Sequence, residues 1–247
     1  MSKPYIALPT NTRFYVPQTL AADFDRFLEQ DIPNTVMDFE ILKSWYEKES
    51  PAYIPKYVRG ELYPDSTKSR YENTDNNMNI RCSVHSGIRK GDMLIQDNGT
   101  VYVLDWGVVL ESNNAPSRAL RCNMMLNVKR FRENEDQFDD YGYLVQDPTT
   151  PWKEIVPPIP CNAYRYDGRP EYSAISGTPG ITPGALTLLV VQYNERTKDI
   201  QIDDQFDWHN ETYRIVDIDR VGVSLNEENG TLKLQAKKME GGLHGYE

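Results

Sequence analysis

Apolar and polar positions change their spacing once along the chain. Residues 1–19 hold Pro4, Pro9 and Pro17, with Tyr5, Phe14 and Tyr15 between them. Fixed φ angles and missing N–H donors exclude a helix of useful length there, so the segment reads as an extended arm with apolar studs. After Ala21, Phe24, Phe27 and Leu28 fall at i, i+3 and i+4 on one helical face, and Pro33 stops the run. A second helix is predicted from about Thr35 to Glu49, with Phe39, Leu42, Trp45 and Tyr46 on one side, Asn34 or Thr35 as cap and Ser50-Pro51 as its end. Residues 51–79 are polar and punctuated by Tyr and Pro, a loop by composition.

From Ile80 the spacing becomes strand-like. Two apolar runs between Gly91 and Trp106 flank Asp97-Asn98-Gly99, and Asn-Gly is the preferred type I′ pair because both central residues need positive φ. A further strand is predicted over Ala119–Val128, a buried one over Leu186–Tyr193, and a hairpin at Asn229-Gly230 before Thr231–Ala236. Residues 148–184 contain eight of the sixteen prolines and read as a stiff connector, preceded by the acidic run Glu133, Glu135, Asp136, Asp139 and Asp140. An offset of 111 aligns Asp92 with Asp203, Tyr102 with Tyr213 and Leu104 with Ile215, as two similar small barrels would require. The expected fold is mainly β with a small N-terminal helical region: two small antiparallel β-barrel or meander modules joined by a long Pro-rich connector. The expected boundaries are 1–79 for the arm and two helices, 80–132 and 186–240 for the β modules, 133–185 for the connector and 241–247 for a tail.

Composition adds a polar surface. Of the 247 residues, 39% are apolar and 11% aromatic, too aromatic for a disordered chain and thin for one thick core. No apolar run reaches the roughly 18 residues that cross a bilayer, and no continuous apolar stretch marks a secretory signal, so no membrane partner is expected. Three widely spaced cysteines, Cys82, Cys122 and Cys161, read as thiols and not as a disulfide framework. The net charge of −10 argues against a general nucleic-acid coat, yet residues 1–90 are neutral and a strip of Arg118, Arg121, Lys129, Arg130 and Arg132 has no acidic residue within it. That strip would face DNA or an acidic partner, or pair with acidic neighbours of its own chain.

Catalytic chemistry finds little to work with. The three histidines are His85, His209 and His244, and no nucleophile elbow, phosphate-cradling glycine loop or zinc-protease helix occurs. Cys82 and His85 have half the spacing of a zinc site. Asp199, Asp203, Asp204 and Asp207 would offer oxygen ligands to a hard cation, with His209 nearby as a general base, which is the pattern a metal-dependent hydrolase would need. Solvated turns are the plainer reading. The expectation is therefore no catalytic residue, no bound metal and no cofactor. Surface Tyr and Trp leave a carbohydrate-binding module as a further alternative.

Ile88-Arg-Lys-Gly-Asp-Met-Leu-Ile-Gln-Asp-Asn-Gly-Thr-Val-Tyr-Val-Leu resembles the hairpin of head-completion and head–tail connector proteins of tailed bacteriophages, with Asp203–Val216 as a second, degenerate copy. The resemblance implies small β-barrels arranged as a ring of identical copies at the neck of the virion, between portal and tail proteins, with loops lining the channel for packaged double-stranded DNA. It also implies assembly in the host cytoplasm, a clasping N-terminal arm (Tyr5, Phe14, Tyr15) and no catalytic residue. A tail adaptor, tail-completion or baseplate protein is the neighbouring reading.

Overall fold

The computed structural model describes residues 5–6, 16–17, 25–29, 36–64, 77–83, 86–106, 117–131, 152–165, 187–224, 226 and 229–239. Two short strands of the arm, β1 (Tyr5–Ile6) and β2 (Val16–Pro17), pair antiparallel with each other. Residues 25–29 are helical with Leu28 buried, in keeping with the first predicted helix.

The second predicted helix is not formed. Residues 36–42 are a strand, β3 (Val36–Leu42), followed by a 3-10 turn over Trp45–Glu49. The helix-like spacing arose because β3 is buried on both faces at its end: Phe39 joins the interior of one barrel, whereas Leu42, three residues on, joins the apolar cluster of the other. With β4 (Lys56–Pro64), β5 (Asn77–Cys82), β6 (Met93–Gln96), β7 (Val101–Trp106) and β8 (Ser117–Arg121), β3 closes a six-stranded antiparallel barrel in the order β3-β4-β5-β8-β7-β6. Phe39, Ile80, Leu94 and Leu104 fill its interior.

The second barrel is built from β9 (Met124–Phe131), β10 (Trp152–Arg165), β11 (Thr187–Gln192), β12 (Gln205–Trp208), β13 (Glu211–Asp219) and β14 (Thr231–Lys238), ordered β10-β11-β14-β13-β12-β9. The two β modules are thus real, but their seams differ from the expected ones. The predicted strand over Ala119–Val128 is two strands, β8 and β9, and the chain passes from one barrel to the other through Cys122-Asn123 alone. The Pro-rich stretch does not join the barrels; Pro157, Pro158 and Pro160 lie within β10. Proline lacks the ladder N–H, and β10 accommodates it with register shifts at Glu154/Val156 and Val156/Ile159, while its pairing with β11 begins only at Cys161.

The barrels are copies of one topology. Their strand orders coincide when β3–β8 are set against β9–β14. In each, an acidic residue after a positive-φ residue enters the central hairpin. Leu104 N–H donates to Asp92 O, and Ile215 N–H donates to Asp204 O; Gly91 N–H donates to Leu104 O, and Asp203 N–H to Ile215 O. Gly91 (φ +88°) therefore matches Asp203 (φ +74°), and Asp92 matches Asp204. The constant offset of 111 holds for Tyr102/Tyr213 and Leu104/Ile215 but slips by one for Asp92, because the second hairpin has a shorter turn. That turn, His209-Asn210, carries the two positive φ values of a type I′ pair (51° and 60°). Asp97-Asn98-Gly99 has positive φ only at Gly99, and Gly99 N–H bonds to Gln96 O, so the predicted hairpin forms with a three-residue turn instead. Asn229-Gly230 closes a longer loop, bridged by Val223 and Gly230.

Candidate functional site

The basic strip is split by the passage between barrels. Arg118 and Arg121 lie on β8, Lys129 and Arg130 on β9. Arg132, Phe14 and Tyr15 lie outside the described residues, and Tyr5 sits in β1 opposite Pro17. Lys129 Nζ donates to Asp207 Oδ2 at 2.6 Å and stands 5.4 Å over the Trp152 ring. Arg130 grips the buried Asp204 with two bonds, 2.6 Å from Nε and 3.0 Å from Nη2. The Asp204 hydrogen bond raises the Arg130 pKa still further.

Of the four acidic residues offered to a cation, Asp203, Asp204 and Asp207 have basic partners, and Asp199 accepts Arg130 Nη2 at 2.8 Å through its main-chain oxygen. Asp204 Oδ2 also accepts Gln201 N–H at 2.8 Å, Asp207 accepts from Lys129 and Thr212, and Asp203 faces Arg214 at 3.4 Å. His209 stacks beside Trp208, with ring centroids 5.0 Å apart. Among the described residues no three His, Cys, Asp or Glu side chains converge as a metal site. Burial pushes the Cys82 and Cys122 thiols up to about 12, away from the thiolate a metal or a nucleophile needs; His85 is outside the described residues. No helix among the described residues is long and apolar enough to cross a membrane.

The first barrel repeats the clamp of the second. Asp92, fully buried, accepts Arg89 N–H and Lys43 Nζ, both at 2.5 Å, through Oδ2. Register places Lys43 where Arg130 stands, since Leu42 pairs with Met93 as Lys129 pairs with Gln205. Burial raises the Asp92 pKa, and the Lys43 hydrogen bond only partly offsets it.

Between the barrels lies a network of polar contacts. Gln192, buried at the end of β11, donates from Nε2 to Gly91 O (2.8 Å) and Lys43 O (3.1 Å) and accepts Trp45 N–H (2.7 Å) at Oε1. Asn162 Nδ2 donates to Arg121 O at 2.7 Å, Tyr46 OH to Pro157 O at 2.8 Å, and Thr231 Oγ1 to the buried Asp105 at 3.1 Å. A Cβ on Gly91 would stand 2.2 Å from Gly230 O, so backbone meets backbone at this point.

The apolar part of the junction is a row across four adjacent strands of the first barrel. Leu42, Met93, Val103 and Leu120 are directly opposed in sequence along the ladder, and all are buried (0%, 0%, 0% and 3% exposed). Val103 and Leu120 pack on Val190 of β11 with Tyr164 beside them. The matching row of the second barrel is Lys129, Gln205, Arg214 and Lys237. It faces outward, with side chains 31% exposed at Lys129 and 49% at Arg214. Neither row was singled out from sequence, although a signal existed. Met93-Leu-Ile and Val101-Tyr-Val-Leu are apolar at consecutive positions, the mark of strands covered on both faces, whereas Gln205-Phe-Asp and Thr212-Tyr-Arg-Ile alternate.

A family model, the YomX C-terminal domain, matches residues 173–237. The matched span runs through β11, β12 and β13 to the last residues of β14, leaving β9 and β10 of the same barrel outside it. No curated protein and no solved structure matches the chain. The YomX family is phage-associated, and the match to it covers about a quarter of the chain.

Proposed function

We propose that the chain is a structural component of a tailed-phage virion, placed at the neck as a head–tail connector or head-completion protein that works by binding and carries out no turnover. The observation that carries this reading is the coincidence of two likenesses. The connector-like hairpin spans residues 88–104 of the first barrel, and the phage-associated match spans 173–237 of the second, which contains the structural counterpart of that hairpin. The engagement of Asp203, Asp204 and Asp207 by basic side chains also favours a scaffold over an enzyme. In this reading copies of the chain form a ring between portal and tail proteins, and the arm around Tyr5, Phe14 and Tyr15 clasps a neighbour. Arg118 and Arg121, on the first barrel, meet packaged DNA or an acidic partner.

Mass spectrometry of purified particles tests the proposal: the chain is expected among the virion proteins, and its absence there defeats the idea. Gold labelling in the electron microscope then gives its place. Label at the head–tail junction is expected, and label at the tail tip would assign the chain to the tail instead.

A further inference from the structure

The two barrels sit head to tail. The four-strand row of the first is covered by the β10–β11 face of the second, and a contact of this kind repeats without end unless something stops it. The second barrel carries its own row, and the first carries its own counterpart of the covering face. Register identifies that counterpart residue by residue. Ala119 matches Ala236, so Met78 matches Thr187 and Arg81 matches Val190. Through the next strands, Glu61 matches Asn162 and Tyr63 matches Tyr164. Tracing the barrel the other way, from Leu42 and Lys129 through Met37 and Met124, gives the same pairing of Gly60 with Cys161, so the equivalence closes round both barrels.

Every position at the centre of the contact has changed in one direction. Where the junction has Leu42, Met93, Val103 and Leu120, the outward row has Lys129, Gln205, Arg214 and Lys237. Where the covering face has Val190, the outward face has Arg81, which pairs with Glu61 at 3.7 Å and lies 5.0 Å over the Tyr63 ring. We propose that these two outward faces are the vacant halves of the same contact, closed to a second copy of this chain, so that the stack ends at two barrels. Seating a copy would place Arg81 against Arg214 and Lys237 and strip water from three like charges, and Glu61 and Asp203, which now pair with Arg81 and Arg214 at the surface, would lose their hydration with them. Self-association of the protein therefore runs through other surfaces. This holds wherever in a particle the chain acts.

Sedimentation velocity on the full chain tests it. A variant with Arg81→Val, Lys129→Leu, Gln205→Met, Arg214→Val and Lys237→Leu restores the junction residues at both free faces. It is expected to grow into concentration-dependent, salt-insensitive oligomers larger than whatever the unaltered chain forms. Sedimentation like the unaltered chain, with circular dichroism unchanged, overturns the proposal. Five changes put folding at risk, so Arg81→Glu alone is the second arm. It replaces repulsion by attraction and is expected to give association at low salt that vanishes near 0.5 M, where the screening length is only about 4 Å. No added association in that variant also overturns the proposal. So does any association of the unaltered chain that Arg214→Glu abolishes, since the row would then already be in use.

Discussion

Glycine at two positions with the same backbone angle carries unequal weight. Gly91 and Gly99 both have φ above +80°, but a Cβ at Gly99 meets nothing within 4 Å, whereas one at Gly91 runs into the Gly230 backbone. Gly99→Ala is expected to cost about 1 kcal/mol, the ordinary penalty of a left-handed alanine. Gly91→Ala adds a clash between two rigid turns and is expected to cost about 3 kcal/mol or more in chemical denaturation. Equal losses would show that the turns have room to part. Asp92 gives a prediction in pH. Burial raises its pKa above the ordinary 3.8, so its protonated form is relatively better accommodated in the folded chain. The favourable contribution is present below the unfolded value and is lost as pH rises through the folded one. Denaturation of the protein and of Asp92→Asn between about pH 4 and pH 7 should therefore show the unaltered chain losing ground to the variant as pH increases. A gain in the same direction of pH contradicts this assignment.

At the scale of elements, strands announced by turn residues or by a continuous apolar run were plain in the sequence, and those whose spacing or prolines imitate another element were not. The hairpin entered at Gly91, the buried run of β11 and the start of β14 follow from local chemistry that no distant contact overrides. β3 was misread because Phe39 and Leu42 point to opposite sides and still both meet apolar partners. β10 was hidden by its own prolines, which mark a connector by composition but fall where the strand bulges and has one neighbour only. The duplication was legible through Tyr102 and Tyr213, yet its alignment was one residue out at Asp92, because a turn of different length changes no apolar position. The basic strip was visible as charge, but its division between two barrels was not, since Cys122-Asn123 carries no Pro or Gly to announce a boundary.

For the whole molecule, the low apolar content of 39% corresponds to two small interiors and a junction, not to one weak core. That junction is expected to couple the unfolding of the two barrels. Calorimetry of the protein is expected to give one transition whose calorimetric and van't Hoff enthalpies agree. Gln192→Ala leaves Lys43 O, Gly91 O and Trp45 N–H buried without their partner and should cost about 2–4 kcal/mol. It should also begin to separate the transitions of the two barrels. A single unshifted transition in the variant would mean that the apolar row alone couples them. The likeness to phage proteins was legible from one hairpin, whereas the outer faces alternate in the ordinary way and carry no local signature.

The strands of the two barrels are not interleaved along the chain. Everything the first barrel needs has been synthesised by Arg121, while Val190 and Gln192, which cover its apolar row, come about 70 residues later. At 5–20 residues per second the ribosome takes roughly 4–14 s to supply them. Throughout that interval a finished barrel emerges with Leu42, Met93, Val103 and Leu120 bare, a greasy band that a neighbouring nascent chain on the same messenger would also offer. Dense translation of this message is therefore when the protein is most exposed to mispairing between chains, and a slow stretch or a holding chaperone after residue 121 is where the cell would protect its yield.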